Sequence, residues 1–164
     1  MELRKSFDLR VFFGKLYVIL MVAFLAIGFM PAEAATEYDV IGKLEIPTIG
    51  LTTEVAKLEL ENSELKTPKD IAGSFSKNEN KTLIIGHAST VFDELGDVLV
   101  GDHILYGEKE YIIVKKEIAL KEEIRMSRIL KGEDVDTLVI MTCAGEDLGV
   151  GDATHRLMLT AKVL

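Results

Sequence analysis

An all-β domain of six to eight short strands, closed as a barrel or stacked as a sandwich, behind an N-terminal hydrophobic helix, is the fold class that this 164-residue sequence predicts. Three observations lead there. Several short runs alternate apolar and polar residues with period two. Gly, Asp and Asn clusters punctuate those runs at short intervals. Helical periodicity is sparse after residue 35.

The first 35 residues stand apart. They carry Arg4, Lys5, Arg10 and Lys15 against Glu2, Asp8 and Glu33, and residues 16–30 contain no charge. Taken from Val11, the apolar run is broken only by Lys15. Roughly 20 apolar residues span a bilayer as a helix, and a lysine near one end can snorkel. The rival reading is a cleaved signal peptide, because Pro31 precedes Ala32-Glu33-Ala34, a small-x-small site. Both readings predict export. Retention as a signal-anchor over 1–35 is preferred, with a single membrane pass, the basic N-terminus in the cytoplasm and residues 36–164 as an extracytoplasmic domain.

Residues 36–164 keep 15 of the 19 basic and 24 of the 27 acidic side chains, a net charge of −9. Nucleic acid is a poor partner for such a surface, since phosphate binding needs clustered Lys and Arg. The chain has a single cysteine, Cys143, so an internal disulfide is excluded. A lone Cys in an exported chain is a reactive thiol, an intermolecular link or a buried small hydrophobe.

Taken in order, Ile41-Gly42-Lys43-Leu44-Glu45-Ile46 alternates and is closed by Pro47, and residues 49–55 alternate again. Gly50 between them marks a bulge or a close approach. Residues 58–75 read as loop and short helical turns, with Pro68 interrupting any longer helix. Lys81-Thr82-Leu83-Ile84-Ile85-Gly86 is a short branched run, the pattern of a core strand. Residues 88–97 form a connection in which Phe92 and Leu95 pack inward. Strands at 103–106 and 111–114 flank Gly107-Glu108-Lys109-Glu110, a hairpin loop. Residues 115–130 contain a polar stretch, Lys121-Glu122-Glu123, and one helical turn. A strand over 137–142 ends at Cys143, and 157–164 is the closing strand, so eleven Gly-rich residues, 144–154, read as the loop between them.

The chemistry follows from three of these strand ends. A thiolate is the nucleophilic form of Cys, and nearby positive charge favours it. Cys143 before the loop and Arg156 after it lie on neighbouring strands, and His87 sits at the end of 83–86 in a similar setting. His87 can hold a proton and return it to a leaving amine, while Arg156 can donate hydrogen bonds to a developing oxyanion. Each has a bland alternative: Cys143 as core, His87 as a strand-end cap, Arg156 paired with Glu146, Asp147 or Asp152. His155 and His103 are poorer candidates. Gly145, Gly149 and Gly151 fit no phosphate-cradling spacing, and His87, His103, His155 and Cys143 are too dispersed for structural zinc. No cofactor or metal is assigned.

Together, Ile84-Ile85-Gly86-His87, Val139-Ile140-Met141-Thr142-Cys143 and Thr154-His155-Arg156-Leu157 resemble the signatures of sortases, membrane-anchored cysteine transpeptidases of Gram-positive-type cell envelopes. Residues 41–47 and Gly101-Asp102 are similar to the family's first strand and middle turn. The resemblance covers about residues 40–164. It implies a closed barrel of about eight strands, with Cys143 attacking the Thr–Gly amide of an LPXTG-like sorting signal, His87 as acid and base, and Arg156 steadying the oxyanion. It also implies that Thr142 contacts substrate or oxyanion. The partners so implied are secreted proteins bearing the signal, an amine acceptor on a cell-wall precursor or pilin, and the membrane. Val139 and Ile140 replace the Thr and Leu usual in the family, and residues 58–81 resemble it only loosely. Some sortases bind calcium through loop acids, and Glu59, Glu61 and Glu122 are acids of that kind, which leaves calcium open with no site assigned. Hydrolysis of the same thioester by water, or a non-catalytic envelope scaffold with Cys143 in its core, are the alternatives.

Overall fold

The computed structural model of the protein describes residues 38–61, 64–149 and 152–164, within one compact unit, Tyr38–Leu164. The strands are β1 (Val40–Ile46), β2 (Leu51–Lys57), β3 (Leu60–Glu61), β4 (Glu64–Leu65), β5 (Ala72–Asn78), β6 (Lys81–Ile85), β7 (His103–Tyr106), β8 (Lys109–Leu120), β9 (Thr137–Gly149) and β10 (Asp152–Val163). Eight of them close into a barrel in the order β1-β2-β5-β6-β9-β10-β8-β7, and β3 and β4 form a separate hairpin. Within the barrel, β2 with β5 and β6 with β9 are parallel, and the other pairs are antiparallel. Closure removes the unpaired edges that an open sheet would expose. The sequence left barrel and sandwich open, and the barrel is what forms.

Side chains alternate across each strand, so one set fills the barrel. Leu44 and Ile46 of β1, Val55 of β2, Ile84 of β6, Ile113 of β8, Leu138 and Ile140 of β9, and Leu157 and Leu159 of β10 make the interior. Phe92, Leu95 and Val98 of the β6–β7 connection join that core, as expected for Phe92 and Leu95. Each buried Leu, Ile or Phe contributes about 1.5–3 kcal/mol on transfer. A second cluster lies on the outside of the barrel wall, where Leu83 and Ile85 of β6 and Val139 of β9 meet Leu58, Leu65, Phe75, Ile129, Leu130 and Met141. Two clusters on opposite faces explain why β6 reads as a continuous apolar run rather than an alternating one.

Several elements differ from the sequence reading. Gly50 is neither a bulge nor a close approach. It adopts φ 64° as the left-handed cap of the 3-10 turn Pro47–Ile49, its N–H bonded to the Pro47 carbonyl at 3.1 Å. Residues 58–75 hold the β3–β4 hairpin and the start of β5 instead of helical turns. β8 continues past Val114 to Leu120, with Lys115, Glu117 and Ala119 facing outward. A 3-10 turn, Lys121–Glu123, and a single helix α1 (Met126–Ile129) then lead to β9. Asn78 Nδ2 donates to the Leu130 carbonyl at 2.8 Å, and the buried Lys81 ammonium reaches Glu133 at 3.2 Å, so the β8–β9 connection is tied to the β5–β6 hairpin.

The membrane expectation is corrected. Among the described residues no helix is long and apolar enough to cross a membrane. The α-helix they contain, α1, rises about 6 Å at 1.5 Å per residue, against a hydrocarbon core of about 30 Å. The segment read as a span, within residues 1–35, lies outside the described residues. The transmembrane helix, the membrane as partner and the single-pass placement with an extracytoplasmic domain, all of which rested on that span, are withdrawn with it.

Candidate active site

Register brings the three candidate residues to one end of the barrel. β6 pairs with β9 in parallel, with Ile85 opposite Met141. Two residues further along each chain stand His87 and Cys143. β10 pairs with β9 antiparallel, with Arg156 directly opposite Cys143. Directly opposed residues have Cβ atoms about 4.5–5.5 Å apart. A cleft of about 270 Å³ opens at this point, lined by His87, Ala88, Ser89, Cys143, Ala144, Gly145, Asp152 and Ala153. Cys143 is half-buried in it.

The backbone around His87 is fixed from both sides. The His87 carbonyl accepts the N–H of Val91 at 3.1 Å and of Phe92 at 3.0 Å, which closes the turn after it. The Gly86 carbonyl accepts the Thr142 hydroxyl at 2.8 Å. Gly86 itself has no room for a side chain, since a Cβ there would lie 2.7 Å from the Phe92 ring. The core plug and the imidazole are therefore positioned by the same close approach. Thr142 is buried on the interior face, opposite in direction to Cys143, and is not part of the cleft lining.

Residues 144–154 are not a free eleven-residue loop. β9 runs on to Gly149 and β10 starts at Asp152, so most of the segment is a paired ribbon with bulges at Asp152/Ala153 and Ala153/His155. Gly145 takes φ 82°, and a Cβ there would strike His155 Nδ1 at 2.6 Å and Thr154 Oγ1 at 2.7 Å. His155 bonds Thr154 across 2.8 Å and is absent from the cleft lining. His103 pairs with Glu110 at 2.7 Å on the β7–β8 hairpin.

Arg156 is held by three bonds. Nη1 donates to the carbonyls of Ala153 at 2.8 Å and His155 at 2.9 Å, and Nη2 donates to Asp152 Oδ1 at 2.7 Å. Asp152, one of the acids weighed for Arg156 from the sequence, pairs with it. Its other oxygen accepts from the Lys121 ammonium. Lys121 first, and then Arg156, hold the Asp152 carboxyl well below the usual carboxylate range. Neither the Asp152–Lys121 link nor the place of Ser89 in the cleft was read from the sequence. Lys121 and Asp152 are 31 residues apart with no pattern to join them. Among the described residues, no three His, Cys, Asp or Glu side chains are grouped to hold a metal ion.

A closed eight-stranded barrel with a thiol, an imidazole and a guanidinium at one end of three adjacent strands defines a class, that of the sortase fold. The family model described as the Sortase domain matches residues 44–164, and the chain belongs to the sortase family. Solved structures similar to it include a lid mutant of sortase A from Corynebacterium diphtheriae, at 24% identity and a TM-score of 0.62, covering 80% of this chain and 74% of that one. Sortase A from Listeria monocytogenes is 16% identical with a TM-score of 0.60, covering 77% and 88%. A Clostridium perfringens sortase D5 transpeptidase is 22% identical with a TM-score of 0.58, covering 78% and 81%. At these identities the likeness is one of fold. A search of curated proteins found no match.

Proposed function

We propose that the protein is a cysteine transpeptidase that cleaves an LPXTG-like sorting signal and transfers the acyl part to an amine, on a cell-wall precursor or a pilin lysine. Residues 36–164 form its catalytic domain. The observation that supports this most is the convergence of His87 and Cys143 on one cleft, with Arg156 opposite Cys143 in the β9–β10 ladder.

The Cys143 thiolate attacks the threonyl carbonyl carbon, and the oxygen takes up negative charge. A guanidinium has five N–H donors, and three of those of Arg156 are engaged by protein oxygens, which leaves donor capacity for that oxygen. The C–N bond to glycine then breaks, and His87 gives its proton to the leaving amine. A thioester on Cys143 remains. The incoming amine attacks the thioester carbonyl and loses a proton to His87, and the thiolate departs. Thr142 bears on these steps through the Gly86 carbonyl, which it fixes one residue before His87. Replacing Cys143 by Ala tests the reading: cleavage and transfer should vanish while thermal unfolding stays unchanged. Turnover retained in that variant contradicts it.

A further inference from the structure

Among the described residues, Asp152 is the acidic side chain that lines the cleft with His87 and Cys143, and it binds the guanidinium of Arg156. The carboxylate therefore touches both the cleft and the guanidinium. Its contact with Arg156 is not an automatic result of spacing. Four residues of regular strand span about 13 Å, yet Asp152 Oδ1 and Arg156 Nη2 are 2.7 Å apart. The bulges at Asp152/Ala153 and Ala153/His155 fold the strand back to allow it. The Ala153 N–H also donates to Oδ1, at 2.9 Å, and fixes the rotation of the carboxylate. Lys121, from the turn after β8, donates to Oδ2. Oδ1 thus has two donors from β10 and Oδ2 has one from the turn after β8.

We infer that Asp152 is a positioning residue that sets the guanidinium of Arg156 beside Cys143, with Lys121 bracing it from the β8–β9 connection. The inference rests on the functional reading above and adds a residue to it. Nη1 is held by two backbone carbonyls, which fix one end of the planar group. Asp152 fixes the other end, so the plane has one orientation. Without Asp152 the guanidinium turns about the Nη1 anchor, and its remaining donors lose their aim at the oxyanion.

The test uses the full chain with five variants: Asp152→Asn, Asp152→Glu, Arg156→Lys, the Asp152→Asn/Arg156→Lys pair and Lys121→Ala. Displacement of a catalytic group by about 1 Å costs on the order of 100-fold. Asp152→Asn should lower kcat about 10- to 100-fold on an LPXTG-type peptide with KM little changed, and Asp152→Glu should recover part of the loss. In the Arg156→Lys background, Asp152→Asn should cost little more, because the group it positions is gone. Unchanged kcat in Asp152→Asn, or a loss that simply adds to that of Arg156→Lys, overturns the inference. Thermal melts accompany each variant. Should Asp152→Asn melt early while Lys121→Ala, a surface change, leaves kcat untouched, Asp152 serves the fold and the inference falls.

Absence of turnover in the unaltered protein would strike the functional reading alone. Alkylation of Cys143 against pH then decides the matter. Among the described residues, His87 and Asp152 line the cleft with the thiol and Arg156 stands opposite it. A change that acts through Arg156 should alter the alkylation profile in Asp152→Asn but not when Asp152→Asn is added to Arg156→Lys, and Asp152→Glu should restore it. Superimposable profiles overturn the inference without any appeal to activity.

Discussion

At the scale of single residues, the proposed chemistry draws on three groups that were legible in the sequence and one whose place was not. Cys143, His87 and Arg156 stand at strand ends in an order that spacing preserves, and the β6–β9 and β9–β10 registers bring them together. Asp152 was only one of three acids that could have met Arg156. The choice was made by two bulges, and an amino-acid string does not display bulges. Arg156→Lys should lower kcat on the order of 100- to 1,000-fold, the usual cost of removing a donor from an oxyanion site, as measured by peptide turnover with binding followed separately. Thr142→Val leaves the Gly86 carbonyl without its buried donor. That should cost about 1–3 kcal/mol of stability, read by urea unfolding, together with a fall in kcat as the His87 backbone loosens.

At the scale of elements, β6 and the first half of β9 were plain because short branched apolar runs have few other uses. β8 was read as ending at Val114, although the outward face that Lys115, Glu117 and Ala119 occupy on a barrel strand is free to be charged. The β9–β10 ribbon was read as loop because its glycines and acids mask the pairing, and Gly145 serves a close approach rather than flexibility. Gly86→Ala would drive a Cβ to 2.7 Å from the Phe92 ring. Overpacking of this kind costs about 1–3 kcal/mol, and here it should also displace His87, so denaturant unfolding and turnover should both suffer. β8 and the segment before β9 are joined by Tyr111, whose hydroxyl donates to Asp136 at 3.3 Å. Burial, and then Asp136, push the Tyr111 hydroxyl up to about 12. The folded value lies above the unfolded one of 10.0, so the neutral form is favoured by folding. Its contribution is complete below pH 10 and is lost as pH rises toward 12. Stability against urea should decline across that window, and Tyr111→Phe should flatten the decline.

At the scale of the whole molecule, closure of the barrel is uneven. β9 and β10 pair along nearly their full lengths, whereas β1 and β7 meet through Leu44 with Tyr106, Glu45 with Leu105, and a bond from the Gly107 N–H to the Lys43 carbonyl at 3.3 Å. Amides at the β1–β7 seam should therefore exchange with solvent well before those of β9 and β10, so the strands that carry Cys143 and Arg156 belong to the most protected part of the fold. Hydrogen exchange resolved by strand checks this, and equal protection at the seam would contradict it. The central claim is that this rigid rim forms a thioester and passes it to an amine. The most direct measurement is intact-mass analysis of the full chain incubated with an LPXTG-type peptide, with and without diglycine. A peptide acyl adduct on Cys143, cleared by diglycine with the matching ligated product and absent from Cys143→Ala, is the predicted result. No adduct, from a thiol that reacts only slowly in the folded protein, would contradict the account and leave Cys143 as a packing residue in a non-catalytic barrel.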